Sequence, residues 1–220
     1  NVVTTTFAPF QTIRCCEQIK VNIGYMKQKV CMVGIGSGLA LGTLGYTHCC
    51  IEDIGVLRSI PEISIISPAD SLETVKALDA AIKSDKSCYI RLTGASNNPI
   101  VYEKDYKFEI GKSIKLREGK DLTIFCSGSM VSNSLLAAKI LEQKKISAKV
   151  VNVHTIKPID KKAIDEACST KLIVTVEEHN IIGGLGSAVS EYKSLLPSSP
   201  QQLFLGIKDN YSKGGTYKFL

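Results

Sequence analysis

Between Gly34 and Ile60 the chain reads GIGSGLALGTLGYTHCCIEDIGVLRSI. Four glycines, at 34, 36, 38 and 42, fall within nine residues. Glycine at that density lets a backbone turn sharply and approach a ligand closely. The Tyr46-Thr47-His48 step that follows puts an imidazole at the end of the turn, where it can do acid–base work or meet an anion. Three other sets of residues could do chemistry. Phe7 and Phe10 bracket Pro9 at a helix start, and two aromatics so spaced can wall a flat heterocycle or simply belong to a core. Arg91, in CYIRLTG, ends a strand; an arginine there can hold a phosphate or carboxylate bidentately, or make a surface or interdomain ion pair. Glu52 and Asp53 are adjacent at a helix start, where stabilising the helix N-terminus is their simplest task. His154 and His179 sit at strand ends and read as structural.

These residues need a scaffold, and apolar runs alternate with amphipathic ones along the chain. VCMVGI (30–35), ISIISPA (63–69), CYIRL (88–92), LTIFCSG (122–128), AKVVNVHTI (148–156), LIVTVEE (172–178) and QLFLGI (202–207) read as strands, several of them continuous enough to be buried on both faces. Helical spacing appears over 9–20, 71–83, 132–144, 160–167 and 185–196, and an amphipathic helix is expected after His48. Such alternation predicts an α/β fold with mostly parallel sheets. The first domain is expected over 1–97 and offers only three strong strands, a thin sheet that suggests a missing N-terminal part. A linker is expected over 98–107, after the loop-forming GASNNP. The second domain, 108–220, is expected to open with a hairpin-like turn at LREGKDL and to hold four strands and three helices.

The 220 residues carry a net charge of +6, 44% hydrophobic and 22% charged residues, which is ordinary for a globular protein. No apolar run reaches the length of a membrane span. The lysines are scattered and lack the dense stripe with interleaved aromatics of a nucleic-acid protein. The eight cysteines include no C-x-x-C pair and lie mostly in apolar contexts. They read as small buried hydrophobes in a reducing, cytoplasmic setting, without metal-ligand spacing. GGLGSA (183–188) reads as a packing turn.

In order along the chain, TTFAPF before a helix, the glycine loop ending GYTH, IEDIGVLRSIP and SPAD resemble the pyrimidine-binding domain of transketolases. GKDLTIFCSGSMV, VVNVHTIKPID and VTVEEHNIIGGLGSAVSE resemble the transketolase C-terminal domain. The resemblance covers essentially the whole chain and is nearest to split transketolases, in which this half is a separate subunit. It implies an incomplete doubly wound pyrimidine-binding domain followed by a smaller α/β domain.

The resemblance also implies roles. Phe7, Phe10 and, in place of a third aromatic, Ile13 would pack on the aminopyrimidine of thiamine diphosphate. His48 would handle sugar oxygens near the reacting carbon, as catalytic and substrate-binding residue, and Arg91 would meet the substrate's phosphate. Gly36 stands where many members have a second histidine, and Leu44 where many have a hydroxyl-reading aspartate, so a non-standard sugar or sugar phosphate is expected. The family's cofactor-activating glutamate lies upstream of the T-F-x-x-F region, before this chain begins. Its G-D-G motif for Mg and diphosphate belongs to another domain, expected here on a partner N-terminal subunit. The resemblance thus implies two-carbon ketol transfer by a homodimer of this chain joined to that partner in a heterotetramer. A 2-oxo acid dehydrogenase beta subunit, a deoxyxylulose-phosphate-synthase-like enzyme and a noncatalytic partner protein are the alternatives.

Overall fold

The computed structural model describes residues 2–93 and 98–220. The boundary expected at residue 97 and most of the GASNNP loop lie outside the described residues. Two five-stranded sheets organise the rest. The first has the order β1-β2-β4-β3-β8, with β1 (Val2–Phe7), β2 (Val30–Ile35), β3 (Ile63–Ile66) and β4 (Ser87–Arg91) parallel, and β8 (Thr155–Lys157) antiparallel to β3. The second has the order β10-β9-β6-β7-β5, from β10 (Gln201–Ile207), β9 (Leu172–Asn180), β6 (Leu122–Cys126), β7 (Ala148–Asn152) and β5 (Ile114–Arg117), of which only β5 runs antiparallel. Both are the expected mostly parallel α/β sheets.

Two strands depart from the pattern that periodicity suggests. VVTTTF forms β1, an edge strand whose Val2 and Val3 stay exposed; its three threonines hide the apolar pattern of a strand, although threonine suits one. The run AKVVNVHTI does not make one strand. It breaks at Val153–His154, and β7 and β8 enter different sheets. Val153 N–H bonds Cys126 of the second sheet, whereas the His154 carbonyl accepts from Ser67 of the first. The first sheet is therefore five strands wide rather than thin, with one strand lent by the second half. LREGKDL is not a hairpin either: β5 pairs with β7, not with β6.

Helices α4 (Ser71–Lys83), α5 (Met130–Gln143), α6 (Lys161–Ala167) and α7 (Leu185–Lys193) cover the sheets. Asp70 caps α4 by accepting from Glu73 N–H, the usual way an orphan donor is satisfied. The helix expected over 9–20 is broken into α1 (Ala8–Gln11), a run of turns and α2 (Cys16–Gln18), which passes into a π-helical segment, Ile19–Tyr25. The intervening Thr-Ile-Arg-Cys stretch holds mostly weak helix formers. Its bonds also stray: Thr12 Oγ1 donates to Ala8 O at 2.6 Å, and Arg14 N–H reaches back five residues to Pro9 O. The helix after His48 is only α3 (Asp53–Arg58), closed by the Ser59-Ile60-Pro61 turn.

One core cluster joins Met32, Ile63, Ile65 and Tyr89 of the first sheet to Ile156 of β8, which is 1% exposed. Ile156→Ala should therefore cost about 2–5 kcal/mol, the range for a buried large-to-small change. Urea denaturation of the full chain checks this, and a loss under about 1 kcal/mol would mean that β8 is not part of that core.

Candidate functional site

The first sheet ends its strands β1 and β2 at one edge, where open parallel sheets place ligands. Phe7 closes β1, Phe10 lies on α1, and the loop after β2 returns to the same place at His48. The three rings meet edge-on: Phe7 and Phe10 at 6.0 Å between centroids, Phe7 and His48 at 6.1 Å, Phe10 and His48 at 5.3 Å. All three are half-buried, so each packs while keeping open surface. The ring hydrogen bond of His48 among the described residues runs between Nδ1 and Thr47 Oγ1, at 2.9 Å.

The loop takes its shape from its glycines and from its closure. Gly36 and Gly38 hold φ +65° and +66°, the left-handed region that glycine occupies without strain. A bridge between Gly38 and Cys50 closes residues 39–49 into a loop. The other expected site residues are distributed unevenly. Ile13 is exposed one turn beyond Phe10, and Leu44 is exposed on the loop's outer turn. The space that a side chain at Gly36 would need is filled by Leu41, so position 36 is internal packing.

Arg91 is engaged beneath the end of the histidine loop. It is 3% exposed, and its guanidinium is taken up within the protein: Nε bonds Asp53 Oδ2 at 2.9 Å, and Nη2 bonds the carbonyls of Cys50 at 3.1 Å and Glu178 at 2.9 Å. The ion pair expected as the alternative at the surface or between domains is instead buried within the first half of the chain, through Nε, while Nη2 reaches two carbonyls. Asp53 does more than stabilise a helix start, because Tyr89 Oη donates to it as well, at 2.6 Å. Burial pulls the Arg91 pKa down, but Asp53, Tyr89 and Glu178 together outweigh it and the net shift is upward. His179, fully buried behind them, accepts from Gly55 N–H at Nε2 and donates from Nδ1 to its neighbour's carbonyl. Burial pushes its pKa down to about 4, so it is neutral. Burial likewise holds His154 at about 4, stacked on Phe108, in keeping with a structural role. GGLGSA is a packing turn whose Leu185 and Gly186 amides bond Glu177.

Residues that the motifs did not single out also shape this end. Arg14 lies 3.8 Å above the Phe10 ring, a cation–π contact that its i+4 spacing could have suggested. Glu178, from β9, binds the base of the loop. Among the described residues, no group of three His, Cys, Asp or Glu could hold a metal ion, and no helix is long and apolar enough to cross a membrane. The cysteines are free thiols; burial raises that of Cys126 to about 12, in keeping with a small hydrophobe.

Residues 1–97 match the family described as "Transketolase, pyrimidine binding domain", and residues 111–206 match "Transketolase, C-terminal domain". The chain belongs to the transketolase family. It is 37% identical over 219 residues to the 6-deoxy-6-sulfo-D-fructose transketolase subunit SqwH of Clostridium sp. (strain MSTE9), covering 99% of this chain and 67% of that protein. It is 39% identical to one of the subunits of the apulose-4-phosphate transketolase of Phocaeicola vulgatus, covering 86% of this chain and 61% of that one. A solved structure of a split-gene transketolase, described as an inactive beta4 tetramer, superposes with a TM-score of 0.86 at 38% identity. That match covers 94% of this chain and 67% of the other. The chain thus spans about two thirds of the length of these transketolase relatives.

Two expectations follow from the buried groups. Asp53→Ala leaves the Arg91 charge buried and unpaired, which should cost about 3–5 kcal/mol; adding Arg91→Leu should recover part of it. Denaturant titration of both variants checks this, and a single-variant loss under about 1 kcal/mol would contradict the ion pair. The second concerns acid. A histidine at about 4 in the fold and about 6.5 unfolded contributes stability that is full above 6.5 and is lost as pH falls toward 4. Replacing His154 by Gln should therefore remove about 2 kcal/mol of the wild-type stability difference between pH 7 and pH 5, as read by denaturant titration at the two pH values.

Proposed function

We propose that this chain is the C-terminal subunit of a thiamine-diphosphate-dependent transketolase that moves a two-carbon ketol unit between sugars, with a donor other than the standard pentose phosphates. The observation that carries this reading is the meeting of Phe7, Phe10 and His48 within about 6 Å at the strand ends. The half-buried aromatic pair suits a flat heterocycle, so the chain fits the aminopyrimidine end of the cofactor. In this reading the metal and diphosphate would be held by a partner subunit, which agrees with the subunit names of the relatives.

In this reading Phe7, Phe10 and Ile13 hold the pyrimidine by apolar contact and keep water from it. Thiamine diphosphate, when bound, supplies the carbanion chemistry. Thr47 engages His48 Nδ1, which leaves Nε2 to carry a proton to or from a substrate oxygen. Arg91, buried and held by Asp53 and two carbonyls, would need its remaining Nη1 to meet a substrate anion. Arg14, exposed over Phe10, is a cation of this chain beside the rings. Leu44 offers no acceptor for a substrate hydroxyl. The relatives named for 6-deoxy-6-sulfo-D-fructose and apulose-4-phosphate support a non-standard ketose. The subunit names, and the tetramer described for the split-gene structure, support self-association together with a separate partner.

The test is a donor and acceptor panel on the complex reconstituted with the partner subunit. Wild type should prefer a ketose other than xylulose 5-phosphate, and Leu44→Asp should shift preference toward the standard donor by roughly tenfold, the value of one hydroxyl contact. His48→Ala should lower kcat/KM by about 10²-fold or more. A wild type that works best on xylulose 5-phosphate and ribose 5-phosphate, with no gain from Leu44→Asp, would overturn the substrate reading.

A further inference from the structure

The loop that carries His48 is held from outside by a segment that no motif marks. After β10 the chain folds back across it. Tyr211 packs its ring on Tyr46 at 4.9 Å and donates to Glu52 Oε1 at 2.6 Å. Tyr46 Oη donates to Ser212 Oγ at 3.3 Å, and Gly215 N–H bonds the Gly42 carbonyl at 2.9 Å. Leu220 sits against Gly42, where a Cβ would meet it. Tyr217 Oη donates to Glu178 Oε2 at 2.5 Å.

Glu178 is where these contacts reach the base of the loop. Its Oε1 accepts Leu39 N–H at 2.8 Å, and its Oε2 accepts both Ser129 Oγ at 2.6 Å and Tyr217 Oη. The carboxylate lies against Gly38, close enough that a Cβ there would collide with it. Gly38 is also one half of the bridge that closes the loop: its N–H bonds Cys50 O at 2.7 Å, and Cys50 N–H returns to Gly38 O at 3.0 Å. Within the loop, His48 N–H and Cys49 N–H share the Gly45 carbonyl. The loop has short turn bonds of its own, such as Gly42 N–H to Leu39 O and Gly45 N–H to Gly42 O, but its glycines give it backbone entropy that works against a single conformation. The outside contacts add to these local turns and fix the loop against the rest of the chain.

We propose that the segment Tyr211–Leu220 is a retaining strap for loop 38–50, and that Tyr217, acting through Glu178, is a positioning residue for His48. The proposal rests on the reading of His48 as a site residue only for its catalytic consequence. The ordering of the loop stands independently of it. Glu178 couples the two parts because a buried carboxylate needs all its donors: removing the Tyr217 hydroxyl leaves an acceptor site empty beside Gly38 and loosens the bridge.

The test has two arms, both on Tyr217→Phe, which keeps the ring and removes only the donor. In the full chain without substrate, hydrogen exchange of the amides of residues 39–48 should quicken about tenfold, while those of β4 and β9 stay unchanged; one lost hydrogen bond is about that factor. In the reconstituted complex, kcat should fall about tenfold with donor KM within about twofold, as expected when a reacting group is misplaced rather than binding lost. Glu178→Gln should produce the same loop signature, and the double variant should be no worse than the poorer single one. Unchanged loop exchange in Tyr217→Phe, or a lowered thermal midpoint with unchanged kcat, overturns the strap. A wild-type complex without transketolase activity overturns the functional reading instead, and the exchange arm still decides the strap.

Discussion

The buried ion pair between Asp53 and Arg91 is the contact on which this end of the molecule depends. Arg91 leaves the end of β4 and Asp53 opens α3, so the pair ties the sheet to the segment that follows the histidine loop. The same guanidinium reaches the carbonyls of Cys50, at the end of that loop, and of Glu178, on a strand of the other sheet. Three separate pieces of backbone thus converge on one planar group. A fully desolvated charge tolerates few arrangements, because each unmet donor or acceptor is costly once water is gone. Removing either partner would leave the other charge buried and unmet, so the pair holds these segments in one arrangement.

That geometry passes outward to the aromatic cluster. Cys50 is bridged to Gly38, and the loop between them carries His48 back to Phe7 and Phe10. The glycines allow the turns but do not choose among them. The choice comes from Arg91 beneath, Glu178 beside and the Tyr211–Leu220 segment above. The second half of the chain is thus more than an appended domain: it lends β8 to the first sheet, Glu178 to the loop and a strap over it.

Within the transketolase family, this chain matches the pyrimidine-binding and C-terminal domains. It presents a pair of aromatic rings and an imidazole, suited to one end of a flat cofactor, without a cluster of ligands for a metal among its described residues. Ile13 and Leu44 are exposed apolar residues of the segments that build this end, while Val2 and Val3 are exposed at the other end of β1.

Much was legible in the residues alone. Strand runs such as 30–35 and the helix 71–83 are local patterns, set by period and capping, and they appear where periodicity placed them. The ordered motifs identified the two transketolase domains. The pairing of Phe7 and Phe10 follows from three-residue spacing at a helix start. The sequence could not reveal partners distant along the chain. Whether Arg91 faces a ligand or Asp53 depends on a residue 38 positions away, and both outcomes suit a strand-end arginine. The split of 148–157 between two sheets depends on which carbonyls and amides Val153 and His154 meet, and β1 depends on β2 lying open beside it. Periodicity reports how each segment buries its apolar face. Only the tertiary structure decides which distant charge or strand completes it, because those energies belong to pairs of segments and not to either one.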